Sequence, residues 1–210
     1  MKKLFSILAV AALLVMTGCK TKVASVLPLA KADYAEALQE VEIPAFACFY
    51  EIEMQLDKPV SAVNKGEDVQ LAKALTVIRT GNHDVKFIDR TYNEKGEVVG
   101  TEVEYGHGDW LGDVAMCLDS LVLDLPDAIK KLQETNQVLP DGDKVTLRQP
   151  LSPPFRAQYI FGTVGTFFVS VDAITGEVSS ANEAVEVEGE EIEAPKVGFV
   201  ELKEDEPAEE

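Results

Sequence analysis

Hydrophobic and polar residues alternate most regularly between Phe46 and Leu56. Glu51, Glu53 and Gln55 fall on the face opposite the apolar side chains. Successive side chains of a β-strand point to opposite faces, so this alternation predicts a strand with one face in the core and one in water. Such strands are typical of antiparallel sheets. The apolar members of the pattern are Phe46, Cys48, Tyr50, Ile52, Met54 and Leu56.

Two further β-rich runs, Val85–Tyr92 and Val98–Tyr105, lie on either side of the polar segment Asn93–Glu97. Because Gly96 supplies the backbone freedom that a short hairpin loop needs, this segment predicts a β-hairpin. Runs rich in β-branched and aromatic residues predict later strands at Val145–Arg148, Ala157–Thr163, Phe167–Asp172 and Glu177–Ser179.

Three segments show apolar residues at helical spacing. Glu67–Arg79 has a broad apolar stripe, which predicts a helix that faces the core. Leu125–Leu132 predicts another, because Asp124 can cap its first turn and Pro126 is tolerated there. Lys31–Val41 fits either a short helix or an apolar linker. In the same order, the stripes of the three segments are Leu71, Leu75 and Ile78; Leu125, Ala128, Ile129 and Leu132; and Tyr34, Ala37, Leu38 and Val41.

The order of these elements, helices followed by meanders of strands, predicts an α+β fold. We expect an antiparallel sheet with helices on one face, and two tandem helix-plus-meander repeats are one way to build it. The expected units are a signal peptide at 1–18, a tether with a possible short helix at 19–42, a first α+β unit at 43–105, a second at 106–181 and an acidic disordered tail at 182–210.

The amino terminus has the features of a targeting signal. Met1–Lys3 is basic and Leu4–Met16 is an apolar run too short to span a bilayer, so we expect a signal peptide. The following Met16–Cys19 resembles the lipobox of bacterial lipoproteins, the alternative being an ordinary secretory signal. The resemblance implies that Cys19 carries a lipid anchor of diacylglycerol and palmitate. Lys20 then favours outer-membrane delivery, to the periplasmic or the outer side.

The chain is strongly acidic, and this excludes one class of partner. It has 37 acidic against 19 basic residues and a formal net charge of −18. Nucleic acid is not an expected partner, because binding it requires clustered lysine and arginine. The segment from Asn182 to Glu210 holds twelve of the acidic residues and few large apolar ones, which is typical of a solvated tail.

No pattern of residues predicts catalysis, a metal site or a cofactor. The two histidines, His83 and His107, have no helical His-x-x-x-His spacing, and no nucleophile elbow or phosphate-binding loop occurs. We therefore expect a protein that is not an enzyme. Trp110, with His107 and Asp109, is the candidate for binding a glycan or a peptide, because tryptophan dominates many binding hot spots; the alternative is that Trp110 packs over a sheet edge.

Two cysteines remain once Cys19 is set aside. Cys48 and Cys117 could form a disulfide in an oxidising compartment. Cys48 lies on the apolar face of its predicted strand, so a buried free thiol is the alternative.

The stretch from Phe167 to Val178 ends in an aspartate-containing turn closed by Thr-Gly-Glu-Val. With Leu125–Ile129 and the Gly-Asp-Trp turn at 108–110, it resembles the PepSY-type domain of Bacteroidetes lipoproteins, over roughly Tyr105–Ser179. Two tandem copies would be similar to β-lactamase-inhibitor proteins. The resemblance implies a non-catalytic module that binds or restrains another extracytoplasmic protein, such as a peptidase. The alternatives are a glycan- or peptide-binding lipoprotein of an uptake system and a structural envelope lipoprotein.

Overall fold

The computed structural model describes residues 24–41, 47–64, 68–81, 84–107, 113–135, 137–151, 155–162 and 167–180. Within these ranges the chain forms two α-helices and nine strands. They are α1 Leu27–Glu40, β1 Cys48–Leu56, β2 Leu71–Arg79, β3 Asp84–Tyr92, β4 Val98–His107, β5 Asp113–Val114, α2 Leu125–Gln133, β6 Lys144–Pro150, β7 Gln158–Gly162, β8 Phe168–Asp172 and β9 Val178–Ser180. The predicted signal peptide, Cys19 and the acidic tail lie outside the described residues.

Eight strands form one antiparallel sheet in the order β4-β3-β2-β1-β6-β7-β8-β9, and β5 pairs with the end of β6. Each half of this order is a helix followed in sequence by a four-strand meander, and the halves meet where β1 pairs with β6. The predicted α+β class, with helices on one face of an antiparallel sheet, is confirmed.

The core lies between the two helices and one face of the sheet. The predicted stripe of α2 is buried, and its apolar side chains pack on the sheet in the same cluster as those of α1. Members of this cluster from the sheet include Ile52, Ile78, Ile88, Leu147 and Val171. Burial of this continuous apolar layer holds both helices on the same side of the sheet.

The helix predicted over Glu67–Arg79 is wrong, because Leu71–Arg79 is strand β2. This strand pairs with β1 on one side and with β3 on the other. It is apolar on both faces: Ala74 and Ile78 are buried towards the helices, while Val77 is buried in a smaller cluster on the other face. A strand buried on both faces loses strict alternation, so its apolar residues mimic a helical stripe.

The short helix considered at Lys31–Val41 exists as α1 and begins earlier, at Leu27. Ala30 and Ala37 are fully buried against the sheet. The described part of the expected tether therefore belongs to the folded unit instead of linking it to a membrane. The apolar stripe of α1 is weak because, apart from Leu27, the residues that it buries are two alanines and one carboxylate, Asp33.

Asp124 caps α2 as predicted and also binds the start of α1. Its Oδ1 accepts hydrogen bonds from the backbone amides of Leu125 at 2.8 Å, Val26 at 2.8 Å and Leu27 at 3.1 Å. The hydroxyl of Ser25 donates to Oδ2. One carboxylate thus satisfies amides at the amino ends of both helices, which otherwise lack acceptors.

The predicted turn after β8 is also confirmed. Asp172 accepts hydrogen bonds from the amides of Ile174 and Thr175, both at 2.8 Å. Gly176 has a φ of 77°, in the left-handed region that glycine adopts without strain. The hairpin of β3 and β4 and the strands β6 to β9 occur where the sequence predicts them, apart from small differences at their ends.

Candidate functional site

The face of the sheet away from the helices, which we call the helix-free face, carries a groove. One hollow of about 190 Å³ lies over β6, β1, β2 and β3, and a second of about 310 Å³ lies over β2, β3 and β4. Both are lined by Leu75 and Asp89, so they adjoin. We call the two hollows together the sheet groove. Its other lining residues are Glu53, Met54, Gln55, Lys73, Phe87, Glu102, Glu104, Lys144 and Thr146.

The groove has an apolar floor at its β2–β3 side. Leu75 and Phe87 are half-buried and pack against a small cluster of Tyr50, Val77 and Val85. A β-carbon added at Gly106 would lie 3.0 Å from Cε2 of Phe87, so a side chain there would push the ring aside. The bare glycine therefore lets the Phe87 ring lean towards β4.

Charges divide the groove into two ends. Lys73 and Lys144 are exposed at the end nearer the centre of the sheet, together with Glu53 on the strand between them, so this end carries one net positive charge. Asp89, Glu102 and Glu104 are exposed at the end nearer β4. The strand register sets Asp89 directly opposite Glu102, an arrangement of like charges that destabilises a sheet. Within the described residues, none of the three carboxylates takes part in an ion pair or a side-chain hydrogen bond.

The accessible part of the helix-free face lies within its first half and β6, although Val77 and Val85 on that face are buried. On β7 and β8 the corresponding side chains of Gln158, Ile160 and Ser170 are buried, with exposed fractions between 4% and 6%. The groove therefore runs from β6 to the edge strand β4 and does not extend along the whole sheet.

On the opposite face, ion pairs hold β3 beneath α1. Arg90 donates to both carboxylate oxygens of Asp33, with Nη1 at 2.7 Å from Oδ2. Thr76 donates to the same Oδ2 at 2.9 Å. Asp33 is only 2% exposed, so these partners compensate for its burial. These contacts of Asp33 fix β3, which carries Phe87 of the groove floor and Asp89 of its acidic end.

Lys86 forms the second contact of this kind. Its Nζ lies 2.8 Å from Glu40 Oε1 and 3.1 Å from Glu36 Oε1, and its side chain is 1% exposed. Burial by itself would lower the pKa of Lys86, but the hydrogen bonds to Glu40 and Glu36 outweigh it, so the pKa is raised. The hydroxyl of Tyr105 donates to Glu40 at 3.2 Å, which joins β4 to the same network.

Of the three candidate binding residues predicted from the sequence, His107 alone lies in the described part of the chain. His107 is exposed at the end of β4, with Nδ1 2.9 Å from Asp84 Oδ1. Trp110, Asp109 and His83 lie outside the described residues. The described ranges contain no group of three or more histidine, cysteine or acidic side chains arranged to hold a metal ion.

Cys48 and Cys117 are both free thiols in the structure. Arg79 Nη2 donates to Cys48 Sγ at 3.1 Å. The antiparallel bridge between Phe49 and Met116 sets Cys48 opposite Cys117. The disulfide that the sequence left open therefore stays a prediction, now with a register compatible with it.

Comparisons with protein families, with characterised proteins and with solved structures find no match for this chain. Among the helices of the described residues, none is long and apolar enough to cross a membrane. The sequence reasoning missed the sheet groove, whose residues come from five strands. One available signal was the pair of glutamates in Thr101–Tyr105, which alternate with Val103 and leave β4 with an acidic face.

Proposed function

We propose that this chain is a lipid-anchored, non-catalytic module of the cell envelope that binds or restrains another envelope protein, such as a peptidase. The observation that carries the proposal is the one-sided packing of the helices, which leaves the sheet groove open on the other face. The lipobox resemblance at Cys19 supports the anchor and an outer-membrane location. The PepSY-type resemblance of Phe167–Val178 supports the binding role.

The groove has properties suited to recognising a protein surface. Its floor belongs to a hydrogen-bonded sheet, so little conformational entropy is lost when a partner binds. Two lysines and one glutamate at one end, against three carboxylates at the other, give the groove a direction. Complementary charges of this kind fix the orientation of a partner and exclude wrong ones.

Charge reversal in the groove tests this role. The chain from residue 20 to 210, which keeps every described residue, is immobilised and exposed to an envelope extract. We expect wild type to retain a partner protein, and Lys73→Glu/Lys144→Glu to lose it. Lys31→Glu/Lys130→Glu changes charge equally on the helices and should retain the partner. Equal capture by both double variants, or no partner for wild type, would contradict the proposal.

Two measurements extend the test. Added wild-type chain should lower a peptidase activity of the extract, whereas the groove variant should not. For the anchor, cells that express the full chain should incorporate labelled palmitate into it, and Cys19→Ala should abolish the label. An unlabelled wild-type chain would remove the anchor from the proposal and leave the groove untouched.

A further inference from the structure

Strand β4 forms an open edge of the sheet next to the groove. It is ten residues long and pairs with β3 alone among the described strands. Nine of its residues are exposed, and the tenth, Gly106, is half-buried. The outer row of peptide N–H and C=O groups on such a strand is a template for another strand.

The two faces of β4 differ in chemistry. Glu102 and Glu104 point to the helix-free face and line the sheet groove. Val103 and Tyr105 point to the helix side, where they are 45% and 63% exposed. A strand added along β4 would place its own side chains alternately beside the carboxylates and beside these apolar groups.

The acidic row lacks a counter-charge that a partner can supply. Asp89 and Glu102 lie opposite each other and Glu104 is two residues along, and these carboxylates are without an ion pair in the described part of the chain. Lysine or arginine side chains on an added strand would replace this repulsion with attraction. The charge pattern therefore favours a basic segment.

The same charges disfavour the pairing of two copies about Val103, and they also disfavour the chain's own acidic segment. If two copies paired through β4 about Val103, Glu102 of one copy would lie opposite Glu104 of the other, and like charges directly opposite are destabilising. The carboxyl-terminal segment from Asn182 has twelve acidic residues against Lys196 and Lys203, so it carries the wrong sign as well.

We propose that β4 binds, by strand addition, an extended segment of the partner in which basic side chains alternate with apolar ones. The basic side chains lie over Glu102 and Glu104, and the apolar ones lie beside Val103 and Tyr105. The inference rests on the proposed function, because it names the part of the partner that the module holds. It adds main-chain hydrogen bonds to the contacts that the groove supplies.

A peptide based on β4 provides a sharp probe. It copies Val98–His107 with lysine in place of both glutamates, and its matched control keeps the native sequence. Binding of each labelled peptide to the chain from residue 20 to 210 is measured by fluorescence anisotropy. We expect the lysine peptide to bind and the glutamate peptide to bind at least tenfold more weakly. Added salt should weaken the lysine peptide, because exposed charges are screened.

Two controls separate the charges from the backbone. Glu102→Gln/Glu104→Gln should weaken the lysine peptide roughly five- to twentyfold, as expected for the loss of two exposed ion pairs. Glu94→Gln/Glu177→Gln, which removes the same charge in two turns, should not change its affinity. Two further peptides are N-methylated, one at the odd-numbered and one at the even-numbered residues. At least one of them should lose binding, because methylation removes N–H donors of the added strand.

Four outcomes of the peptide measurements would overturn the inference: neither peptide binds, both bind equally, the glutamate peptide binds more tightly, or neither N-methylated peptide loses binding. The proposed function is judged separately by Lys73→Glu/Lys144→Glu. If that variant loses a partner that Glu102→Gln/Glu104→Gln retains, the module binds through the lysine end of the groove and the strand addition is wrong.

Discussion

Asp124 offers the sharpest test of how the two helices are held. Replacing it with alanine removes the acceptor for the amides of Val26, Leu27 and Leu125 at once. Loss of one capping side chain costs about 0.5–2 kcal/mol. Since this carboxylate caps two helices, the loss should double. Val26 is fully buried, so its amide cannot turn to water, and this places the expected loss at about 2–4 kcal/mol.

Such a loss is large against the roughly 5–15 kcal/mol that stabilises a typical domain. Urea unfolding followed by far-ultraviolet circular dichroism measures the free energy of unfolding, and the midpoint should fall with an unchanged slope. Asp124→Asn keeps a carbonyl oxygen at the position of Oδ1, so we expect it to cost about 1 kcal/mol or less.

Asp127→Ala is the matched control, because Asp127 is exposed in the first turn of α2 and acts mainly through the helix dipole. Its loss should cost less than about 1 kcal/mol. If Asp124→Ala is no more destabilising than Asp127→Ala, the shared cap does not hold the helices and the reasoning is wrong. Hydrogen exchange at Val26 and Leu27 gives a local check, because both amides should exchange faster in Asp124→Ala.

Three further predictions follow from groups described above. The raised pKa of Lys86 means that the folded state holds the proton of this lysine more tightly than the unfolded state does. The contribution of Lys86 to stability is therefore complete below its ordinary pKa of 10.5 and is lost as the pH rises through the folded value. Lys86→Met should flatten the alkaline decline of the urea midpoint, and an unchanged decline would refute this. In a thiol–disulfide redox buffer, Cys48 and Cys117 should transfer two electrons to the buffer disulfide and form a bond, which mass spectrometry detects as the loss of two hydrogen atoms. Because the bond closes a loop of about 70 residues, it should stabilise the fold by about 4 kcal/mol. Persistent free thiols would exclude the bridge. Gly106→Ala should displace the Phe87 ring and weaken partner capture. Gly100→Ala should weaken it less, because its added β-carbon would meet only Thr91, at 3.9 Å. Equal effects of the two variants would show that Phe87 is not part of the groove's binding surface.

Features of the fold that depend on neighbouring residues were predictable from the sequence. The cap that Asp124 places on α2 and the turn at Asp172–Gly176 use side chains within a few residues of the amides of Leu125, Ile174 and Thr175. The hairpin at Asn93–Glu97 depends on an equally local signal. These elements occur where the sequence predicts them because no distant contact competes with them.

Features that depend on distant residues were not predictable in this way. The sequence of β2 predicts a helix, because its pairing on both sides and its burial on both faces are set by distant strands. The buried faces of α1 and β3 carry Asp33 and Lys86, whose charges make sense only when Arg90, Glu36 and Glu40 are placed beside them. The groove combines strands from separate parts of the chain, so no local pattern defines it.

The pairing of β1 with β6 has a consequence for the order in which the protein folds. The hairpins within each meander join residues close in sequence, whereas Glu51 and Arg148 pair across about 100 residues of chain. Closing that loop has the largest entropic cost among the described strand pairs, so we expect the two meanders to form early and β1 to pair with β6 late. Until it closes, β1 and β6 are unprotected edges. The species most prone to aggregation during folding is then a chain whose two meanders have formed but whose β1 and β6 have not yet paired. The rate at which β1 and β6 pair limits how long this species persists.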